Sequence, residues 1–361
     1  MDPVEIELPS YRVLIARGAL TDVGRIAAST TRAHRYALVA DSNVAPLYAA
    51  RVRSALGEGR TQLYTIPAGE EQKTRATWSS LTDAMLGDGF GRDAAVVALG
   101  GGVIGDLAGF VAATYMRGIP FIQLPTTLLA MIDASIGGKT GVDTPLGKNL
   151  VGAFHHPAAV IADPDVLRTV PGEHLRAGLA EALKHGVIAD AAYFDDVVGA
   201  APEIVSGSRA ATAALERIVV RSIAIKADVV RRDEREGGVR KTLNFGHTIG
   251  HAIELRSDYK MLHGEAVAVG MVLESRVAER LGVAEPGTSD RVRDAIERTG
   301  LPATRPADQS PDEILSATRG DKKARAGVVE YALPTRIGAM AGADHGWGVP
   351  VADEIVLEVL R

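Results

Sequence analysis

The chain changes its hydrophobic period once, near residue 170, and that change constrains its fold more than any other feature. Before it, RYALVAD (Arg35 to Asp41), QLYTIPAG (Gln62 to Gly69), AAVVALGGG (Ala94 to Gly102) and FIQLPTT (Phe121 to Thr127) read as buried strands ending in turn signals. Between them, VAPLYAARVRSALG and TRATWSSLTDAMLGDG carry apolar residues at helical spacing. Strand and helix in alternation imply a parallel sheet with helices on its faces, where ligands gather at the carboxyl ends of the strands. The Pro-containing segment from Pro164 to Pro171 reads as a linker. Beyond it the pattern is mainly helical, with helices expected over residues 172–198, 208–230, 245–256, 263–282 and 288–299, and a β-capable stretch, VVEYALPTRIGAM, from Val328. The expected architecture is therefore an α/β domain with a parallel sheet over residues 1–170 and a mainly helical domain over residues 171–361. The 361 residues suffice for two cores of ordinary size.

The helical half carries the densest chemistry. Between Glu181 and His263 lie a carboxylate, a His-x-x-x-His pair (His247 and His251) and a His-Gly-Glu (His263 to Glu265). Residues four apart on a helix share a face, so NFGHTIGHAIE can aim two imidazoles at one point, as zinc-binding helices do. A single histidine is more often a surface or core residue than a ligand. Here three of the chain's nine fall within seventeen residues of a Gly-punctuated, otherwise apolar stretch. Glu181 sits in apolar GLAEALKHG, where a buried carboxylate is costly unless it meets a cation or a metal.

Composition narrows the partners. With 45 acidic and 40 basic side chains the net charge is −5, so no broad positive field invites nucleic acid or an anionic membrane, and bound phosphate must be held by local cations. The absence of cysteine excludes disulfides, thiolate ligands and cysteine nucleophiles. MDPVEIELPSYRVLIARG does not read as a signal peptide, and no run reaches the roughly 18 apolar residues of a spanning helix, so a cytoplasmic location is expected. The chain uses 31 arginines but only nine lysines. Lysines that survive such a bias belong where a compact, rotatable ammonium is needed, and Lys73, Lys139, Lys148, Lys184, Lys226, Lys322 and Lys323 all fall in or beside Gly-rich or polar motifs.

LGGGVIGD (Leu99 to Asp106) follows a strand and opens a helix, so a diphosphate can approach its glycines while helix-start N–H groups face the anion. It departs from the G-x-G-x-x-G fingerprint, and as an isolated turn it is weak. Support comes from neighbouring strand ends: Asp41 could take ribose hydroxyls, and PAGEEQKT adds Glu70 and Lys73. A nicotinamide dinucleotide across these ends is the economical reading.

GGGVIGDLAGFVAATYMRG, LPTTLLAMIDASIGGKTGVDTPLGKN, GLAEALKHG, DEREGGVRKTLNFGHTIGHAIE, LHGEAVAVGM and GDKK occur in this order. The combination resembles the 3-dehydroquinate synthase family from about Asp41 to Lys323. The resemblance implies an NAD-binding α/β domain followed by a helical, metal-binding domain. It assigns a divalent metal, Zn²⁺ or Co²⁺, to Glu181, His247 and His263, and it makes His251 a substrate contact, which spacing alone does not decide. It places Arg117, Asp133, Lys139, Asn149, Lys184, Lys226, Arg240, Asn244, His251 and Lys322 around the substrate. Lys139, Lys184, Lys226, Glu236 and His251 are the catalytic candidates. NAD falls to Asp41, Asn43, Glu70, Lys73, the turn Gly101, Gly102 and Val103, then Asp106, Thr126, Thr127, Lys139, Lys148 and Thr169.

The implied substrate is 3-deoxy-D-arabino-heptulosonate 7-phosphate. It would be oxidised at carbon 5 so that the neighbouring carbon is acidified, lose phosphate, be reduced again, open its ring and close a carbocycle by an aldol step. NAD is restored in each turnover. Rivals within the fold are cyclases acting on sedoheptulose 7-phosphate or feeding aminated products; the retained Lys226, Asn244, His251 and Lys322 favour a carboxylate-bearing substrate. A metal-dependent polyol dehydrogenase is a wider alternative, against which the lysine set argues, since a simple alcohol needs no phosphate grip. An inactive homologue that only binds metal or nucleotide is a third. Relatives imply a homodimer.

Overall fold

A computed structural model describes residues 2–208, 211–319, 324–325 and 328–361. The chain divides into two compact units, Met1–Val170 and Pro171–Arg361.

The first unit is built on a seven-stranded sheet of β1 (Val4–Glu7), β2 (Arg12–Ile15), β3 (Arg35–Asp41), β4 (Thr61–Ile66), β5 (Ala94–Gly100), β6 (Phe121–Pro125) and β9 (Ala159–Ala162), in the order β1-β2-β9-β6-β5-β3-β4. Strands β7 (Lys139–Thr144) and β8 (Gly147–Phe154) form a separate antiparallel hairpin. Only β1 pairs antiparallel with its neighbour in the large sheet; the other five pairings are parallel. Every residue of β5, β6 and β9 is buried, as expected of parallel strands covered on both faces, which explains their unbroken apolar runs. Helices α1 (Val23–Thr30), α2 (Ala50–Leu56), α3 (Arg75–Gly87) and α4 (Gly102–Thr114) cover the sheet. Thr74 starts α3 by accepting the Thr77 N–H at 3.1 Å. The four strands read from sequence are present. Strands β1, β2 and β9 have four residues each, too short for a period to show, and β7–β8 hide in a Gly-rich motif.

Of the Pro164–Pro171 segment, only the step from Val170 to Pro171 is the boundary between the units, and Pro164–Thr169 is folded into the first unit. It is a 3₁₀ helix that buries Val166 and Leu167, and Asp163 ties it to the unit by accepting the N–H groups of Gly18 at 2.9 Å and Asp165 at 3.1 Å.

The second unit contains α5 (Gly172–Ala189), α6 (Ala191–Val205), α7 (Ala211–Arg232), α8 (His247–Arg256), α9 (His263–Arg280), α10 (Thr288–Arg298), α11 (Pro311–Arg319) and α12 (Asp353–Leu360). Short strands accompany them: Val328–Tyr331 pairs with Ala324–Arg325 and Val349–Pro350, and Pro334–Arg336 with Ala339–Met340. One helix was expected over 172–198, but the chain breaks at Asp190, which turns extended and caps α6 through the Tyr193 N–H at 3.0 Å. From Ala177 to Ile188, α5 is buried on every side, and α9 nearly so, which places both at the centre of the unit. Among the described residues no helix is long and apolar enough to cross a membrane.

Candidate active site

In the first unit, parallel register brings four strand ends into one row: Asp41 lies opposite Ile66, Ala40 opposite Leu99, and Gly100 opposite Pro125. Strand β3 lies between β4 and β5, so the winding direction reverses between β3 and β5, the position where open α/β sheets bind ligands. Gly101 is the N-cap of α4 and Gly102 and Val103 are its first residues, and no side chain caps this helix start. Helix-start amides left without a side-chain cap are the groups that can receive an anion. Asp41 folds one oxygen onto its own turn, accepting the N–H groups of Asn43 at 2.8 Å and Val44 at 3.0 Å.

Lys73, only 4% exposed, reaches Asp106 at 2.6 Å and Glu70 at 3.9 Å, and Lys148 reaches Glu70 at 3.4 Å. Burial works against the Lys73 charge, but Asp106, Glu70 and Asp143 outweigh it and raise its pKa, so Lys73 is a fixed cation. Thr126 is buried, and its hydroxyl finds no hydrogen-bond partner among the described residues. Thr127 accepts the Ala130 N–H at 3.2 Å, and the Thr169 hydroxyl pairs with the Tyr48 hydroxyl at 2.7 Å. An uncapped helix start, a fixed cation and an unanswered buried hydroxyl on one row of strand ends fit the diphosphate and polar edges of a dinucleotide.

Elsewhere in this unit, Asp133 lies in the π-helical turn Ala130–Ala134 and Lys139 is exposed at the start of β7. Arg117 (φ 69°) and Asn149 (φ 54°) lie in the left-handed region, as does Glu236 (φ 62°) of the second unit. Non-glycine residues rarely adopt it, and functional turns are where such strain collects.

In the second unit, Glu181 on α5 is fully buried, and the Nε2 atoms of His247 and His263 each stand 3.4 Å from its Oε1. The remaining nitrogens are engaged: His247 Nδ1 pairs with the Phe245 carbonyl at 3.0 Å, and His263 Nδ1 with Glu254 Oε2 at 3.3 Å. Two ligands held at about 2.1 Å on a tetrahedral ion stand roughly 3.4 Å apart, which is the distance of each of these imidazoles from the carboxylate oxygen. His251 shares the cluster, its ring 5.2 Å from that of His247 and 5.7 Å from that of His263. Ligand atoms of His247, His251 and His263 all lie within 4.8 Å of one another, and His247 and His263 also meet the Glu181 carboxylate.

Electrostatics agrees with a cation at this point. Burial, then Lys184 and His251, hold the His247 imidazole down to about 4 against the pull of Glu181. Burial also opposes charge on His263, yet Glu181 and Glu254 outweigh it and push that imidazole up to about 10. The buried carboxylates Glu181 and Glu254 thus favour a positive charge at His263, while burial keeps His247 neutral, the form in which an imidazole can bind an ion.

Lys184, 1% exposed, is ion-paired with Glu181 Oε2, and Lys226 on α7 and Arg240 are also buried. The loop after α7 is pinned by Asp233, which accepts N–H groups from Gly237, Gly238 and Arg240, and Asn244 Nδ2 donates to Glu236 Oε1 at 2.6 Å. Lys322 lies outside the described residues. Sequence reasoning missed Glu254 and Glu274. Each is a carboxylate inside an apolar helical stretch, the same signal that picked out Glu181.

These features define a class, a nucleotide-type α/β sheet joined in one chain to a helical unit in which His247, His251 and His263 offer ligand atoms all within 4.8 Å of one another, close enough to hold a metal ion, beside the buried carboxylate of Glu181. A family model for the 3-dehydroquinate synthase N-terminal region matches residues 63–177, and one for the C-terminal region matches residues 178–324. The chain belongs to the 3-dehydroquinate synthase family. It is 45% identical over 339 residues to a 3-dehydroquinate synthase of Symbiobacterium thermophilum, covering 93% of this chain and 94% of that protein. Among solved structures it is similar to 2-deoxy-scyllo-inosose synthase complexed with carbaglucose-6-phosphate, NAD⁺ and Co²⁺, with TM-score 0.88, 28% identity and 99% of each chain covered. It is also similar to a 2-epi-5-epi-valiolone synthase of Streptomyces hygroscopicus subsp. jinggangensis with NAD⁺ and Zn²⁺ bound, with TM-score 0.86, 31% identity, and 98% of this chain and 97% of that one covered.

Proposed function

We propose that this chain converts 3-deoxy-D-arabino-heptulosonate 7-phosphate to 3-dehydroquinate and phosphate, using NAD catalytically and a divalent ion, Zn²⁺ or Co²⁺. The observation that carries the metal half of this reading is the convergence of His247 Nε2 and His263 Nε2 on Glu181 Oε1 at 3.4 Å each. When bound, NAD supplies reversible hydride acceptance and the ion supplies polarisation of a hydroxyl or carbonyl oxygen. Glu181, His247 and His263 hold the ion. The strand-end residues from Asp41 to Lys148, with Thr169, hold the dinucleotide.

Anionic groups of the substrate fall to cations. Lys139, Lys184, Lys226, Arg240 and Lys322, with Arg117, Asp133, Asn149 and Asn244, grip the phosphate and carboxylate ends, and ammonium groups suit a phosphate that must leave. Glu236 orients Asn244 through their 2.6 Å hydrogen bond. His251 moves or holds the proton of the hydroxyl that is oxidised, a task an imidazole suits at neutral pH. The two other cyclases named above are 28% and 31% identical to this chain, against 45% for the 3-dehydroquinate synthase, which favours the carboxylated substrate. On the same reading the enzyme works in the cytoplasm as a homodimer, without nucleic-acid or membrane partners, in keeping with a net charge of −5.

The test is phosphate release from 3-deoxy-D-arabino-heptulosonate 7-phosphate with catalytic NAD and Co²⁺ or Zn²⁺, followed beside NADH absorbance. Many phosphates per NAD without NADH accumulation is the expected result. Turnover only with sedoheptulose 7-phosphate, or stoichiometric NADH from a polyol, overturns it.

A further inference from the structure

Helices α8 and α9 pass each other along a seam of glycines. A Cβ at Gly270 would lie 1.9 Å from the Gly246 carbonyl oxygen, and one at Gly250 would lie 3.0 Å from the Ala266 carbonyl oxygen. Gly246 is the N-cap of α8, has φ 78°, and a Cβ there would lie 2.4 Å from Met271 Cγ. The cap position of the helix that carries His247 and His251 therefore has no room for the Ser, Thr, Asp or Asn that would ordinarily close it.

The missing cap comes from the neighbouring helix. Glu274 of α9 is fully buried; its Oε2 accepts the Gly246 N–H at 2.7 Å and its Oε1 accepts the Ile249 N–H at 3.0 Å. These are the cap and third-residue amides, the two donors that a capping box satisfies from within one helix. At the other end of the seam α9 is capped by its own Glu265, which accepts the Leu262 N–H at 3.0 Å, and the carboxylate from α8 meets a side chain instead. Glu254 of α8, 3% exposed, meets Nδ1 of His263, the first residue of α9, at 3.3 Å.

Each helix thus gives one buried carboxylate to the start of the other, and each start bears one histidine whose Nε2 faces Glu181. We propose that Glu254 and Glu274 are positioning residues of the metal centre, an inference that rests on the metal reading above. Glu254 holds the proton on His263 Nδ1, which leaves the Nε2 lone pair free for an ion and raises its basicity. Glu274 fixes the position and phase of the first turn of α8, and with it the direction of His247 Nε2.

The experiment is Co²⁺ titration of the full chain, read by the visible d–d absorption and by chelator competition, for wild type, Glu181→Gln, Glu254→Gln and Glu274→Gln. Urea unfolding of the metal-free proteins is run alongside. Wild type should bind one ion per chain and Glu181→Gln should lose it. Glu254→Gln and Glu274→Gln should bind it about 10- to 100-fold more weakly, with a shifted absorption band. A merely structural role would lower the urea midpoint and leave affinity and spectrum of the folded protein unchanged. If Glu274→Gln fails to fold, Glu254→Gln, next to a partly exposed histidine, decides the matter. A wild type with no Co²⁺ band at this site sinks the metal reading and this one with it. A binding wild type whose two glutamine variants match it in affinity and spectrum sinks the positioning role alone.

Discussion

The two units hold charge in different ways. In the first unit backbone amides at a helix start stand beside one buried cation, Lys73, and the outer ion pair is partly wet: side-chain exposure is 23% at Lys148 and 38% at Glu70. In the second unit the charges are dry, with Glu181 at 0%, Lys184 at 1%, Glu254 at 3% and Glu274 at 0%. Water screens and replaces the first kind of interaction cheaply, while the second has no such substitute. Substitutions in the first unit should therefore weaken binding and leave folding almost alone, whereas those in the second should damage both.

The largest effect expected is that of Glu181→Leu. It removes the only oxygen of the triad and leaves Lys184 buried without its ion-pair partner Glu181. Breaking a buried pair from one side costs about 3–5 kcal/mol, read as metal-free stability in urea with a chelator present. Phosphate release should fall on the order of a thousandfold, as when a preorganised charge stabiliser is lost. Unchanged metal-free stability would contradict the contrast between dry and wet halves.

That contrast also explains what could be read from the residues alone. Fully buried parallel strands leave unbroken apolar runs and amphipathic helices leave periodic ones, so four strands of the first unit and most helices of the second were legible. Elements of four residues, and a break made by one capping aspartate at Asp190, leave none. In the site, the helical spacing of His247 and His251 announced a cluster, and the two rings do stand together, 5.2 Å apart and within reach of one ion. His263 comes from the start of a different helix, and only the packing of α8 on α9 brings it to Glu181. Glu254 and Glu274 escaped because a lone glutamate in a helix is common; what marks them is complete burial, which sequence expresses only as apolar neighbours.

Next in size is Gly270→Ala. The added methyl meets a backbone oxygen, so the helices must separate, and overpacking of this kind costs about 1–3 kcal/mol. Because the seam aligns His247 and His263, Co²⁺ affinity should fall together with the urea midpoint. A stability loss with intact affinity would show that the triad tolerates a looser seam. The counterpart in the first unit is Lys148→Ala. It should lower NAD affinity by about tenfold, near 1.4 kcal/mol, and shift stability by no more than about 0.5 kcal/mol. Calorimetric titration with NAD beside urea unfolding measures both, and a large loss of stability would erase the distinction between the halves.

The smallest effect separates exposure from location. Asp233 belongs to the second unit but is only half-buried, and like the residues of the first unit it acts on backbone. Burial works to raise its carboxyl pKa, but the N–H groups of Gly238 at 2.7 Å, Arg240 at 3.0 Å and Gly237 at 3.0 Å, with the Arg240 charge, outweigh this and hold it below the usual range. A lowered folded-state pKa means that ionised Asp233 stabilises the fold fully above about pH 3.9, and that this contribution is lost as pH falls through the folded value. Asp233→Asn should then cost on the order of 1 kcal/mol at pH 7, and the gap from wild type should narrow as pH falls below about 3.9. Unfolding midpoints of both proteins between neutral and acid pH measure that gap. If it stays constant into acid, the ionised carboxylate adds nothing beyond the shape of the side chain; a gap as large as that of Glu181→Leu would mean that the helical unit, and not dryness, sets the sensitivity.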